Sequence, residues 1–158
     1  MKTQWRIAAN PRGVTKLALD SGSRSRSALS QHYNEARRRA VKELRDYFAG
    51  RRQAFSVPCD LSELTPFTQK VLSAAAKIPY GQVRSYKWLA ERLGKPKAAR
   101  AVGNALARNP VPILIPCHRV VRRDGAIGRF VLGSGWKKRL LELEKRFAKT
   151  EASLNCGV

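Results

Sequence analysis

The chain has 158 residues, 43% of them hydrophobic, which is enough for one or two small domains with a buried core. It contains no run of about 18 apolar residues, which excludes a membrane span, and its first residues lack the apolar core of a signal peptide. We therefore expect a cytosolic protein, or a nuclear one if the host has a nucleus.

The charge of the chain indicates a polyanionic partner. Lys and Arg number 32 against 11 acidic residues, giving a formal net charge of +21. Surfaces that only solubilise a protein usually balance Lys with Glu. The missing acids therefore favour nucleic acid as the partner.

The N-terminal part has the pattern of a small α/β domain over residues 1–56. Residues 5–20 predict two short strands joined by a turn. A helical composition extends from Leu29 to Phe48 and ends at Gly50. We interpret residues 57–64 as an extended linker.

The second part, residues 65–150, has a helical pattern and is followed by a tail at 151–158. Thr65 and Pro66 have the residue types of an N-cap and a first helical position. Two further helices, KWLAERLG (87–94) and KAARAVGNALARN (97–109), are separated by a short turn containing Gly and Pro. This arrangement predicts a helix-turn-helix.

The helix predicted over 97–109 has one buried and one exposed face. With Val102 at the centre of the buried stripe and about 100° per residue, Ala99, Ala105 and Leu106 fall on the buried side. An ordinary solvated surface is one interpretation of the opposite face. We favour sequence-independent DNA contact, because the face combines cations with small residues that allow close approach. These residues are Lys97, Arg100, Gly103, Asn104, Ala107 and Arg108.

The stretch PILIPCHRVV, residues 112–121, carries the candidate chemistry. We predict that its apolar run, residues 113–115, is a buried strand leading through Pro116 to Cys117 and His118. Only the thiolate form of cysteine attacks well, so Cys117 needs a base. Neighbours on a strand point in opposite directions, so a bridging water or a turn after Pro116 would have to connect Cys117 with His118.

A carboxylate that could orient His118 occurs in the last predicted helix, residues 136–149. Relative to Leu140, Glu144 lies at about 40°, inside the apolar stripe, whereas Glu142 points away. A buried carboxylate must be paired. The pattern leaves two partners open, a catalytic pair with His118 and a structural ion pair with Arg119.

The remaining cysteines and histidine have no sequence signal for function. Cys59 lies in the linker, Cys156 lies near the C-terminus, and we expect both to be non-catalytic. His32 is expected at the surface. Because the chain has no CxxC pair and only two histidines, we expect no metal site and no cofactor.

The sequence IPCHRVV resembles the active-site signature of the O6-alkylguanine–DNA alkyltransferases, also called methylated-DNA–protein-cysteine methyltransferases. The similarity extends from about residue 65 to residue 144 and includes KKRLLELE of the last helix. It is weaker before residue 65. The resemblance implies an RNase H-like α/β N-terminal domain with a small, shortened sheet and a helix. An α winged helix-turn-helix C-terminal domain would follow it.

The resemblance also implies a reaction. Cys117 would attack the alkyl carbon on the oxygen of an alkylated guanine in one SN2-type step. His118 would deprotonate Cys117 through a water, and Glu144 would orient His118. The thioether product is stable, so each molecule would react once. The implied partner is double-stranded DNA, bound mainly without sequence preference by a monomer; cooperative assembly on DNA is left open.

The lesion lies inside the stacked duplex, so the base would have to be flipped out. By resemblance, Arg100 would fill the vacated stack, Tyr86 would rotate the phosphate and protonate the departing guanine, and Asn109 would brace the turn that carries Cys117. The expected DNA contacts are Tyr86, Lys97, Ala99, Arg100, Gly103, Asn104 and Arg108. The expected base pocket comprises Pro112, Val120, Phe130 and Val131.

The chain departs from the family pattern after Gly128. Phe130-Val131-Leu132-Gly133 replaces the usual aromatic residue followed by small, glycine-rich positions. We expect a more apolar and stiffer pocket wall, which puts the range of accepted alkyl groups in doubt.

Three other functions fit the sequence less well. A damage-binding relative that flips the lesion without transferring the group would replace the cysteine, whereas Cys117 is present here. A winged-helix regulator leaves the sequence PCHRV unexplained. A cysteine hydrolase would need an oxyanion hole, for which the sequence has no sign.

Overall fold

The computed structural model describes residues 5–19 and 33–155, an α/β part followed by a helical part. Strands β1 (Trp5–Asn10) and β2 (Gly13–Leu19) pair antiparallel, with Trp5 opposite Leu19. Helix α1 (Tyr33–Phe48) packs on both strands. The predicted start of this helix at Leu29 lies outside the described residues, as do His32 and Cys156. No helix in the described ranges has the length and apolarity to cross a membrane.

Helix α1 ends at the predicted glycine. Gly50 has φ +73°, the left-handed conformation that closes many helices, and Arg51 N–H donates to the carbonyl of Asp46 at 2.9 Å. A Cβ at Gly50 would overlap the ring of Phe147 on the last helix, α5 (Ser134–Asn155). The glycine therefore allows the end of α1 to approach α5 closely.

The second part begins with three helices. Helix α2 (Pro66–Ala76) begins as predicted, since Thr65 Oγ1 accepts from Thr68 N–H at 3.3 Å. Helices α3 (Tyr86–Arg92) and α4 (Ala99–Ala107) are joined by a short turn in which Gly94 has φ +69°. Helix α4 is shorter than the predicted 97–109 at both ends: Lys97 belongs to the preceding turn, and Asn109 lies beyond the C-cap Arg108 and binds the next loop.

The prediction of a strand over residues 113–115 is wrong. Ile113 adopts φ +75° in a buried turn, and the chain then forms a 3-10 turn at Cys117–Arg119. A short apolar run is compatible with any buried backbone, provided that its polar groups find partners. Asn109 provides them: its side chain accepts from Val111 N–H and donates to the carbonyl of Ile115, both at 3.0 Å.

Strand β4 (Val120–Val121) follows the 3-10 turn and pairs parallel with β3 (Arg84–Ser85). This pairing places the start of α3 beside the Cys117 turn. The two parts of the chain share one hydrophobic core, and Leu17 N–H of β2 donates to the carbonyl of Pro110 at 2.8 Å. The predicted linker is extended around Pro58, whose carbonyl accepts from Val14 N–H at 2.8 Å.

Candidate active site and DNA-facing surface

Cys117 begins the 3-10 turn and is 4% exposed. Asn109 Nδ2 lies 3.1 Å from its sulfur and also donates to the loop carbonyl of Ile115. Burial raises the pKa of Cys117 to about 11, although the Asn109 hydrogen bond and the charge of Lys137 act in the opposite direction. At neutral pH the sulfur is therefore a thiol, and attack requires a base.

Glu144 is the centre of a buried polar network. Its Oε1 lies 2.8 Å from His118 Nε2 and 2.9 Å from Arg119 Nη2, and it accepts from the Tyr47 hydroxyl at 2.6 Å. Its Oε2 accepts from Arg119 Nε at 2.9 Å and from Gly81 N–H at 3.0 Å. Both partners left open by the sequence pattern, His118 and Arg119, are therefore bound to the same carboxylate.

The network determines which nitrogen of His118 carries the proton. Burial opposes ionisation of Glu144, but hydrogen bonds from His118 and Arg119 outweigh it and lower its pKa to about 2. An ionised carboxylate only accepts, so His118 Nε2 must donate to it. Burial also lowers the pKa of His118. A neutral ring protonated at Nε2 presents Nδ1 as an acceptor.

The Nδ1 atom of His118 is buried and has no hydrogen-bond partner among the described residues, so no direct hydrogen bond joins it to Cys117. The ring is 0% exposed and lies edge-on to Phe130, with ring centroids 6.1 Å apart. A buried acceptor without a partner is costly unless a donor reaches it. The connection between His118 and Cys117 through a water remains a prediction.

Lys137 is a candidate site residue that the sequence reasoning missed. It is 0% exposed, and its Nζ donates to the carbonyl of Val120 at 2.6 Å and lies 3.5 Å from the Tyr86 hydroxyl. Burial lowers its pKa to about 8, and the Cys117 thiolate acts to raise it. The helical period that identified Glu144 also places Lys137 at about 60° from Leu140, so the signal was present in the pattern.

Tyr86 forms one wall of the space above Cys117. Its ring would contact a Cβ at Gly103 of α4, and its hydroxyl would lie 2.9 Å from a Cβ at Gly128. Gly128 also has φ +71°, a conformation that side-chain-bearing residues rarely adopt. Gly128 thus leaves room for the hydroxyl of Tyr86, whereas a Cβ at Gly103 would make only ordinary contact with the ring.

A cavity of about 530 Å³ opens between α4 and the segment after β4. Its lining combines Cys117 and Phe130 with Arg122, Arg129 and the exposed side of α4. The predicted residues that line it are Tyr86, Ala99, Arg100, Gly103, Asn104, Cys117 and Phe130.

The other predicted residues lie around the cavity. Lys97 and Arg108 are exposed at the two ends of α4, outside the lining. Pro112 and Val120 are buried, and Val131 is 44% exposed. The structure thus brings Phe130 to the cavity and leaves the side chains of Pro112, Val120 and Val131 outside its lining.

Cys59 lies apart from this site. It is half-buried, its sulfur lies 3.9 Å from the carbonyl of Val57, and burial raises its pKa to about 11. Among the described residues, no three His, Cys, Asp or Glu side chains are grouped as metal ligands.

Comparison with known proteins identifies the family. The family model for the 6-O-methylguanine DNA methyltransferase DNA-binding domain matches residues 66–146. The methylated-DNA–protein-cysteine methyltransferase of Mycobacterium leprae is 46% identical over 121 residues, which cover 77% of this chain and 73% of that protein. The corresponding protein of Methanosarcina barkeri is 38% identical over 142 residues, 88% of this chain and 89% of that protein.

A solved structure supports the same assignment along most of the chain. Mycobacterium tuberculosis OGT in complex with DNA superposes with a TM-score of 0.79 at 39% identity, covering 90% of this chain and 87% of that one. The chain belongs to the methylated-DNA–protein-cysteine methyltransferase family.

Proposed function

We propose that this protein repairs alkylated DNA by moving an alkyl group from the O6 atom of guanine to Cys117. The observation that carries the proposal is the hydrogen-bonded pair of Glu144 and His118 beside a buried thiol that opens to the cavity under α4. A polarised base next to an otherwise protonated thiol is what nucleophilic attack by cysteine requires.

In the proposed reaction, a bond forms between Cys117 Sγ and the alkyl carbon while the bond from that carbon to O6 breaks. The thiol proton passes to Nδ1 of His118 through a water. The resulting imidazolium is stabilised by Glu144 at 2.8 Å. The departing guanine takes a proton from Tyr86, and the resulting tyrosinate regains one from the ammonium group of Lys137, whose Nζ lies 3.5 Å from that oxygen. The thioether stays on the protein, so one molecule completes one transfer.

The DNA would lie against the exposed face of α4. Arg100 is exposed and Gly103 half-buried on this face, while Val102 is 0% exposed on the opposite side. Arg100 would enter the duplex and occupy the place of the flipped guanine. Lys97 and Arg108 would bind phosphates, which predicts contact without sequence preference. Asn109 would brace the turn that carries Cys117.

For the base pocket we propose Phe130, together with backbone groups near Pro112 and Val120 and the side chain of Val131 in the DNA-bound form. Phe130 already lines the cavity, which supports an apolar wall. We infer that this wall accepts larger alkyl groups.

The finer architecture is a proposal based on the family resemblance. We infer an RNase H-like fold for the N-terminal domain, residues 1–56, and a winged helix-turn-helix for residues 65–150, with a linker at 57–64. The short turn between α3 and α4 supports the second inference. Residues 151–158 are the proposed tail, although α5 continues to Asn155.

We further infer that the protein acts as a monomer on double-stranded DNA. It would work in the cytoplasm in association with the nucleoid, or in the nucleus if the host is a eukaryote. The net charge of +21 supports placement with DNA and predicts that affinity falls steeply with salt.

The decisive measurement is the intact mass after incubation with a duplex containing O6-methylguanine. We expect one added methyl group per molecule, located by peptide mapping on Cys117. Cys117→Ala should bind the duplex but gain no mass, and Cys59→Ala, as the matched control, should react like the wild type. Product beyond one equivalent would contradict single-turnover transfer. Lesion binding by the wild type without a mass change would favour the damage-binding alternative.

A further inference from the structure

Tyr47 is a buried hydroxyl that the proposed reaction does not use. It is 0% exposed, its hydroxyl donates to Glu144 Oε1 at 2.6 Å, and it lies 3.4 Å from His118 Nε2. Tyr47 belongs to α1, whereas the other groups bound to Glu144 come from residues 81–119. The N-terminal α/β part thus reaches the proposed site through this hydroxyl.

Tyr47 and His118 share one acceptor atom. Glu144 Oε1 lies 2.6 Å from the Tyr47 hydroxyl, 2.8 Å from His118 Nε2 and 2.9 Å from Arg119 Nη2. Each donor partly neutralises the negative charge on that oxygen. The carboxylate therefore stabilises the positive charge of a doubly protonated His118 less strongly. The presence of the hydroxyl therefore makes a second proton on the ring less favourable.

The position of the hydroxyl is set by an aromatic cluster. The ring of Tyr47 has centroid distances of 5.4 Å to Phe48, 5.2 Å to Phe55 and 5.9 Å to Tyr80. Gly50, three residues further along the chain, permits the close approach of α1 and α5. Burial and the neighbouring Glu144 raise the pKa of Tyr47 far above its ordinary value, so it acts only as a neutral donor.

We propose that Tyr47 is a positioning residue that holds the Glu144 carboxylate and keeps His118 unprotonated at Nδ1 in neutral solution. The catalytic part of this inference rests on the proposed function; the effect on the histidine does not. The other titratable groups acting on Tyr47 and His118 are the carboxylate of Glu144, the guanidinium of Arg119, the ammonium of Lys137 and the phenol of Tyr80.

The first test follows the histidine directly by NMR of protein labelled with ¹⁵N-histidine. The chain has only two histidines, His32 and His118, so His32→Gln assigns the spectrum. In the wild type we expect the Nε2–H form of His118 at neutral pH. In Tyr47→Phe we expect the pH at which Nδ1 gains a proton to rise by about one unit, which corresponds to about tenfold tighter proton binding.

Phe55→Leu is the matched control, because it loosens the packing of the Tyr47 ring and retains the hydroxyl. It should leave the protonation pH of His118 unchanged. An equal shift in both variants would assign the effect to packing and overturn the proposal, as would an unchanged value in Tyr47→Phe.

The second test measures the pH dependence of alkyl transfer from free O6-benzylguanine, which avoids base flipping. Tyr47→Phe should move the acidic limb of the rate profile upward by about one unit, so that the rate on that limb falls about tenfold. On the alkaline side its rate should match that of the wild type within about twofold. Affinity for undamaged duplex DNA should not change.

A uniform loss of rate at every pH would indicate a structural role only and would overturn the proposal. If the wild type transfers no benzyl group, the proposed function fails, while the NMR titration still decides the role of Tyr47. If the wild type reacts and both variants keep its pH profile, only the inference about Tyr47 fails.

Discussion

Glu144 and His118 are joined by a 2.8 Å hydrogen bond, and their side chains are only 1% and 0% exposed. The same carboxylate binds Arg119, so an ion pair and an imidazole contact coexist on one group. Arg119 compensates the buried negative charge, which allows Glu144 to remain ionised next to His118. Glu144 therefore both stabilises the fold, through Arg119, and orients the proposed base, His118.

Acid should weaken the fold through this pair. The pKa of Glu144 is about 2, below its ordinary value of 4.5. Its stabilising effect is therefore complete above pH 4.5 and is lost as the pH falls toward 2, a change of roughly 3 kcal/mol. The lowered pKa of His118 acts in the same direction, because the unfolded chain gains a proton near pH 6.5 that the folded chain resists.

Urea unfolding between pH 7 and pH 3 measures this effect. Glu144→Gln should lower the free energy of unfolding by about 3–5 kcal/mol at pH 7, because Arg119 stays buried without its counter-charge. It should also make the free energy of unfolding depend less on pH in the acidic range. Glu142→Gln is the matched control, since the Glu142 side chain is 65% exposed, and should stay within about 0.5 kcal/mol of the wild type. An acid response of Glu144→Gln equal to that of the wild type would contradict the assignment.

Lys137 should increase the reactivity of Cys117. Its ammonium group favours the Cys117 thiolate, and its own pKa is about 8, so it is mostly charged at pH 7. Lys137→Met keeps a long apolar stem but removes the charge. We expect the rate of Cys117 alkylation by iodoacetamide to fall about tenfold at pH 7 and by less at pH 9, where the wild-type lysine has lost its proton.

Lys138→Met provides the control for that measurement, because the Lys138 side chain is 66% exposed. It should react at the wild-type rate throughout. If Lys137→Met lowered the alkylation rate of Cys117 by the same factor at pH 7 and at pH 9, the cause would be disturbed packing around Val120 and not the lost charge.

Arg100 should matter for duplex DNA more than for a free base. It lies on the exposed side of α4 and lines the cavity that contains Cys117. Arg100→Ala should slow repair of O6-methylguanine in duplex DNA by about tenfold or more, because no side chain then occupies the place that the flipped guanine leaves in the duplex. Its rate with free O6-benzylguanine should change by less than about twofold.

Arg108→Ala tests whether loss of any cation from α4 has the same effect. Arg108 is exposed but lies outside the cavity lining. Arg108→Ala should therefore weaken duplex affinity modestly and reduce the salt dependence of binding. Equal losses for Arg100→Ala on duplex and free base would exclude base flipping as its role.

The sequence by itself determined the features that depend on near neighbours in the chain. Hydrogen bonds at helix ends and helical periodicity act over a few residues. They therefore allowed prediction of the N-cap at Thr65, the end of α1 at Gly50 and the position of Glu144 on the buried face of its helix. The stretch IPCHRVV likewise carried the resemblance to the family, and that resemblance implied the chemistry.

Only the tertiary structure decided which distant groups meet. Ile113 adopts a left-handed turn instead of a strand because Asn109 binds the backbone on both sides of it. Tyr47 reaches Glu144 across 97 residues of sequence, and no local pattern encodes that approach. Hydrophobic burial is nondirectional, so it can bring a segment into the core without specifying its neighbours. The particular hydrogen bonds arise only when helices and turns pack in three dimensions.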